Sequence, residues 1–520
     1  MENNTQVPDF LNKIINDIPK KYRYCFFVSL ATGILVHFLM LSNKITNLDD
    51  LVCVPGVGGG KVLGRWFQEP VHDLFSAWSN PALNGIMAII ILSLTACVIT
   101  KILKIQSITG AVLIGVMMIT LPSTASNMYY MYLAPTFALS ILASVINVHI
   151  TIKYKFGFIL GALLQFLSMA CYQAYFGLSV SLFVLAYLLM LIDGMNNLLV
   201  IKKGIRSLFG LIVAMGGYLI SLKFVDLSDY KGLSDIGHTA PVDILYAVAR
   251  AYHRVLQYFV TSPESFMKGA PTLFNRILVV MLIAVIILLF VWKKVYSNLL
   301  RCILSVILIL ILPLALGLVY VMAPQLSHAS TVMIYSYSVF YFFLIAGMER
   351  IAEAAGEKTK KAAVFFAGLI FIVLILEAYS SARMINNAYY RSYIAQNRVM
   401  EYYNRIFTKL EDTEGYQYGE PMVILGGFYP DPLPVSSHNM NGKELVDFEG
   451  ATLEDLIFLP TNRDRFIQIF LGIDTGDVTM EQKDKLMETE EFKNMPSYPA
   501  SGCTKKIDGI WVIKLNEDDR

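Results

Sequence analysis

Two adjacent carboxylates, Asp49 and Asp50, follow the first long apolar stretch of the chain. Paired carboxylates at a membrane boundary suffer desolvation and mutual repulsion. One can be held ionised as a base while the other orients it or binds a cation. An ordinary acidic loop has the same spacing. The run Pro55-Gly56-Val57-Gly58-Gly59-Gly60-Lys61 comes next. It is not a nucleotide phosphate loop, because Val62 follows the lysine where Ser or Thr is required and no strand precedes it. Lys61 and Arg65 can still meet a lipid phosphate at a membrane surface. Stretches 61–69 and 71–78 read as two short helices broken at Pro70. Their Trp66, Phe67, Leu74, Phe75 and Trp78 suit the interface.

A second group lies in 241–260. Projected at about 100° per residue, Ile244, Leu245, Val248, Tyr252, Val255, Leu256 and Phe259 share one arc. Tyr246, Arg250, His253, Arg254 and Gln257 share the opposite one. Such a helix lies on a surface, with its polar face toward a phosphate, a sugar or water. The stretch Tyr172-Gln173-Ala174-Tyr175-Phe176 ends a later apolar block. A glutamine between aromatics binds sugars through amide hydrogen bonds and ring stacking, and aromatics at this depth also serve as belt residues. His328 stands in another short loop at the same expected depth. A lone histidine is also common as a structural residue. No CxxC or His-rich metal pattern occurs, and a disulfide between two of Cys53, Cys171 and Cys503 is sterically open at this level.

These groups are positioned by an apolar framework. The 520 residues are 56% hydrophobic and 16% charged, with a mean hydropathy of +0.55. Soluble domains run nearer one-quarter charged, so a single soluble enzyme, a disordered protein and a nucleic-acid binder are excluded. Apolar blocks fall at 24–41, 84–100, 107–121, 129–149, 156–172, 178–195, 205–223, 276–292, 299–321, 331–348 and 362–379. They predict an all-α polytopic membrane protein of about 11 spans. The first block is too long, and starts too far inside the chain, for a secretory signal.

The formal net charge of +2 conceals a split. Residues 380–520 hold 23 acidic and 15 basic residues, a balance of −8, and the rest carries +10. With the N-terminus in the cytoplasm, 18 of the 27 basic residues before 380 fall in short inner loops. The positive-inside rule therefore fixes the orientation, and an odd span number leaves the tail outside. The outer face then holds loops 42–83 and 226–275 and the tail. Loops of that size suggest chemistry or recognition there. The expected domains are a cytoplasmic amphipathic segment 1–23, a transmembrane domain 24–379 and an extracytoplasmic domain 380–520. In the tail, 385–412 reads as a helix leaving the membrane and Met422–Leu425 as a buried strand. Residues 461–471, with Arg463 and Arg465, read as a helix, and 510–515 as an alternating strand. This is a small α/β domain, equally readable as a cap on the outer face.

The order of these motifs resembles the Gtr-type glucosyltransferases, bacterial and phage membrane enzymes that modify O-antigen or other cell-wall glycans. The resemblance rests on Asp49-Asp50 after a first span, Gly64-Arg65-Trp66 in the same loop, and Tyr172-Gln173 ending a later span. In the tail it rests on Met495-Pro496-Ser497-Tyr498-Pro499, Lys506-Ile507-Asp508-Gly509 and the closing 510–515 run. Cys53-Val54-Pro55 and the three glycines before Lys61 depart from it, as does the lack of an arginine near His328. The resemblance implies a GT-C-like fold in the bacterial plasma membrane and a polyprenyl-phosphate sugar donor, usually glucose. The acceptor would be a cell-envelope glycan at the outer face. Asp49 or Asp50 would be the base. Lys61, Arg65, Arg250 and Arg254 would hold the donor phosphate. Tyr172, Gln173, His253 and His328 would meet sugar or acceptor. No cofactor is implied, although a divalent cation beside Asp49 and Asp50 is compatible. Implied partners are membrane lipid, a polyprenyl-phosphate glucosyl synthase and a small flippase, with no nucleic acid. The rival readings are a transporter or flippase of lipid-linked glycans, and a non-catalytic assembly partner. Transport pathways mark themselves with intramembrane charges or internal repeats. The spans hold few such charges (Asp193 near the inner boundary, Glu377 near a span end) and no repeats.

Overall fold

The computed structural model describes residues 17–54, 60–76, 78–227, 241–261, 272–326, 329–426, 460–475 and 478–515. Two compact units divide the chain. One comprises Met1–Asn43 and Gly59–Asn386. The other comprises Lys44–Gly58 and Asn387–Arg520.

The first unit is helical. Eight helices among the described residues are long and apolar enough to cross a membrane, which marks a membrane protein. The total is nine if Ile108–Ile119 and Pro122–Tyr129, bent by 43°, make one span. The expected number of eleven is larger because Gly157–Cys171 and Ser338–Ala354, apolar by sequence, are only 15 and 17 residues long. Spans begin where side chains cap them. Asn80, Ser107, Asn196 and Asn298 each accept a first-turn backbone N–H, replacing an intrahelical partner that does not exist there. Pro122 starts its helix after the extended Leu121, and this produces the bend.

Apolar burial cannot order helices against lipid, so polar side chains and small residues do. Ser140 and Ser144 each lie within 2.9 Å of the Ser168 hydroxyl, and Asn147 donates to Gln165 Oε1 at 3.2 Å. Ser179 donates to the same oxygen. This buried ladder ties Ala134–Lys153 to Gly157–Cys171 and Phe176–Ile192. A Cβ on Gly161 would come within 2.4 Å of both Asn147 Oδ1 and Thr151 Oγ1.

The second unit holds a three-stranded sheet in the order β1-β3-β2. Here β1 is Met422–Leu425, β2 is Thr504–Ile507 and β3 is Ile510–Lys514. β3 pairs in parallel with β1 and antiparallel with β2. Asp508 and Gly509, at φ 48° and 81°, make the tight β2–β3 turn; an Asp-Gly pair suits two successive left-handed residues. The expected polar alternation of β3 is absent. Trp511, Val512, Ile513 and Lys514 are all buried, because the strand is central and covered on both faces. Trp511 and Ile513 join one apolar cluster with Tyr402, Tyr403 and Phe466. Val512 joins another with Leu486 and Phe492. Lys514 reaches out of the sheet to cap the Phe492 and Lys493 carbonyls at 3.0 Å each. The expected helices are observed as the end of Lys360–Glu411 and as Pro460–Leu471. Arg463 on the latter is 1% exposed and donates to the Ile424 and Gly426 carbonyls.

Candidate functional site

In the second unit, Asn47 caps the short helix Leu48–Val52 by accepting the Asp50 N–H at 2.8 Å. The turn sends the two carboxylates to different environments. Asp49 is exposed. Asp50 is fully buried, ion-paired with Lys44, and accepts the Thr46 hydroxyl at 3.0 Å. Gln396 fixes this turn from the opposite side. Its Oε1 accepts the Thr46 N–H at 3.2 Å, and its Nε2 donates to the Lys44 carbonyl at 2.7 Å. Leu51 anchors the helix in the same apolar cluster as Tyr403 and Ile406. The two aspartates, equivalent by spacing, are therefore an exposed acid and a buried, neutralised one.

In the first unit, the loop after Gly60 folds as a 3-10 turn Lys61–Leu63 ending at Gly64. Gly64 has φ 75°, and a Cβ there would meet the Tyr218 hydroxyl at 2.8 Å and Leu222 at 2.9 Å. The turn delivers Arg65 onto Tyr172 and Gln173, a contact that the separate sequence motifs do not indicate. The guanidinium carbon lies 4.6 Å from the Tyr172 ring centroid, and Nε donates to Gln173 Oε1 at 3.3 Å. Gln173 Nε2 donates to the Leu63 carbonyl at 2.8 Å and to the Tyr218 hydroxyl at 2.7 Å. Tyr218 in turn donates to the Gly64 carbonyl at 3.2 Å. Trp66 Nε1 donates to Ser221 at 3.0 Å, and the Phe67 N–H to the Ala170 carbonyl at 3.1 Å. Arg65 is thus held through its Nε and its π face. Both are uses of other atoms than its terminal nitrogens, and among the described residues no carboxylate pairs with it. Lys61, on the same turn, is exposed and makes no ion pair among the described residues.

Tyr172 is 3% exposed and continues into an aromatic stack with Phe137 at 4.8 Å and Tyr175 at 5.0 Å. Tyr175 donates to Asn127 Oδ1 at 3.1 Å. Tyr218, Ser221 and Asn127 were not singled out from sequence. The available signal was their position, each near a helix end beside an aromatic or amide partner.

The helix Pro241–Leu256 forms as expected and runs on as a π turn, Gln257–Thr261. Its buried stripe differs from the projected arc. Ala247, Ala251 and Val255 are buried, while Ile244, Leu245 and Leu256 are exposed. Small residues permit the close approach, since a Cβ on Gly317 would fall within 3.0 Å of three Ala251 atoms. The large apolar side chains of Ile244, Leu245 and Leu256 face outward. Arg250 Nη1 donates to the Pro324 and Leu326 carbonyls at 2.8 Å each, and Arg254 Nη1 to Gln257 at 2.8 Å. His253 is exposed. His328, Gly56 and Gly58 lie outside the described residues. Cys171 and Cys503 are free thiols, so no disulfide joins two of Cys53, Cys171 and Cys503. Glu377 is 2% exposed, with the Ser381 hydroxyl 3.2 Å from its Oε1. Among the described residues, no group of three or more His, Cys, Asp or Glu side chains could hold a metal ion.

These features define a polytopic helical membrane protein with an arginine presented on an aromatic and amide platform. Residues 38–346 match the glucosyl transferase GtrII family, and the chain belongs to it. That stretch contains Asp49, Asp50, Arg65 and Gln173 and ends before the tail. No curated protein and no solved structure matches the chain.

Proposed function

We propose that this glucosyltransferase moves glucose from a polyprenyl-phosphate donor to a cell-envelope glycan at the outer face of the bacterial plasma membrane, on a GT-C-like architecture. The observation that carries the reading is Arg65. It is fixed by Tyr172 and Gln173, is matched by no carboxylate among the described residues, and stands two residues past a turn that also presents Lys61. When the glycosyl bond breaks, the donor phosphodiester becomes a monoester and gains negative charge. Cations already in place stabilise that developing charge more than they stabilise the ground state. Asp49, the exposed member of the pair, takes the proton of the acceptor hydroxyl, whose oxygen attacks the anomeric carbon with inversion as the polyprenyl phosphate leaves. Asp50, neutralised by Lys44, holds the turn that presents Asp49. Arg254 and His253 serve donor and acceptor as secondary contacts. Residues 1–23 lie inside, and 380–520 outside as an acceptor-facing domain. A glucosyl synthase and a small flippase supply the donor.

The test is transfer of labelled glucose from synthetic polyprenyl phosphoglucose to isolated envelope glycan by the purified protein. Asp49→Asn should abolish transfer and leave folding intact. Transfer undiminished in Asp49→Asn and in Arg65→Ala would overturn the reading. Donor movement across vesicles without any glycan product would favour a flippase instead.

A further inference from the structure

At the end of the helical unit where Pro81–Ile102 and Ala134–Lys153 finish and Asn197–Leu222 begins, two cavities lie close together. The larger, about 630 Å³, sets Lys104, Lys293 and Arg350 against Asp193, Glu349 and Glu353. Two of its three cations are paired. Arg350 Nη2 pairs with Asp193 at 2.9 Å, Lys293 lies 3.8 Å from Glu353, and Glu349 accepts the backbone N–H groups of Gln106 and Ser107.

The smaller cavity, about 300 Å³, is lined by Lys101, Lys104, Lys153, Lys203 and His149, with no acidic residue. None of these five forms an ion pair among the described residues, whereas Lys293 and Arg350 of the neighbouring cavity do. Topology alone explains basic residues at this end. It does not explain why four lysines, carried by three helices and the turn after one of them, converge on one concavity whose lining holds no acid, since like charges brought together repel. Lys104 adds a backbone cost. It sits at φ 56° in the left-handed position that closes its helix, with its N–H on the Lys101 carbonyl and the Ile105 N–H on the Thr100 carbonyl. Glycine is the usual residue in that position, so a lysine there retains a side chain at the expense of strain. The remaining wall is apolar, including Met190 and Met195.

We propose that this cavity binds the phosphate group of an anionic membrane lipid, the lysines taking the phosphate oxygens and the apolar wall the glycerol and first acyl carbons. The site is separate from Arg65 and does not depend on the transferase reading. Basic pockets at helix ends are suited to such headgroups.

The experiment uses the full-length protein in neutral detergent and soluble dihexanoyl phosphatidylglycerol as the probe, with binding read by calorimetry. Lys101→Gln/Lys153→Gln/Lys203→Gln should weaken binding at least about tenfold. The matched control Lys358→Gln/Lys360→Gln/Lys361→Gln should stay within about twofold. Should the triple variant misfold, the exposed Lys101→Gln alone should weaken binding at least about threefold, and Lys101→Arg should restore it. Equal binding by wild type and the Lys101 variants, equal loss in the control, or equal binding of dihexanoyl phosphatidylcholine would each overturn the site. Inorganic phosphate binding as tightly as the lipid would overturn the lipid as its occupant.

Discussion

Arg65 and Gln173 form a pair whose coupling can be measured. In the proposed reaction, Arg65 meets charge that develops only as the glycosyl bond breaks. Arg65→Ala should therefore lower kcat by about 10²–10³, as removal of one preorganised oxyanion donor does elsewhere. Gln173 touches Arg65, the loop and the Tyr218 hydroxyl, and in this reading it acts through Arg65. Gln173→Ala removes the acceptor of Arg65 Nε and the donor to the Leu63 carbonyl and the Tyr218 hydroxyl. Each such hydrogen bond is worth about 0.5–1.5 kcal/mol net. The Tyr172 ring still holds the cation, at about 0.5–1 kcal/mol for a partly exposed site. The expected loss is thus roughly tenfold, carried by kcat more than KM. In an Arg65→Ala background, Gln173→Ala should cost almost nothing, a coupling of about 1 kcal/mol. Initial rates of glucosyl transfer from polyprenyl phosphoglucose, measured in nanodiscs for the four proteins, give the cycle. A Gln173 effect of the same size with and without Arg65 would refute the positioning argument. An Arg65→Ala enzyme within about threefold of wild type would refute the role of the cation itself.

Three other outcomes follow from the same geometry. Gly64→Ala should destabilise the first unit by about 2–4 kcal/mol, combining a left-handed penalty of about 1–2 kcal/mol with an overpacked contact at Tyr218 and Leu222; thermal unfolding measures it, and a change under about 1 kcal/mol would contradict the close approach. Lys44→Ala uncovers the buried Asp50 carboxylate, and adding Asp50→Asn should recover about 1–3 kcal/mol of coupling energy; denaturant unfolding of the single and double variants checks it, strict additivity being the adverse result. Glu420 is held below the usual carboxylate range first by its hydrogen bond from Lys506, then by that from the Trp511 indole. A depressed folded-state value contributes stability above the unfolded-state value and loses it as pH falls through the folded one. Unfolding midpoints followed through the acid range should therefore decline less steeply for Glu420→Gln than for wild type, and identical slopes would remove Glu420 from the pH dependence.

Sequence reading reached the parts whose causes are local. The apolar blocks appear as helices because 18–20 uninterrupted apolar residues have few alternatives. Met422–Leu425 and Ile510–Lys514 form strands because short apolar runs bounded by glycine suit them. The proximity of Arg65 to Gln173 has no local cause. A separation of 108 positions leaves no periodicity to read. What stayed hidden depends on neighbours distant in sequence. Spacing could not separate Asp49 from Asp50, because burial of the second comes from Lys44, Thr46 and a glutamine 346 positions after it, Gln396. The stripe of Pro241–Leu256 was misassigned for a related reason. Projection weights large apolar residues inward, as water demands, whereas packing within a lipid-facing bundle selects small residues such as Ala247 and Ala251 and turns Leu245 and Leu256 outward. The same inversion bears on the lysine cavity. Charge counts registered Lys101, Lys104, Lys153 and Lys203 as topology signals in separate loops, and only their convergence without a carboxylate turns them into a site. For this family member, residues that chemistry would use are marked less by type than by which of their expected partners are missing.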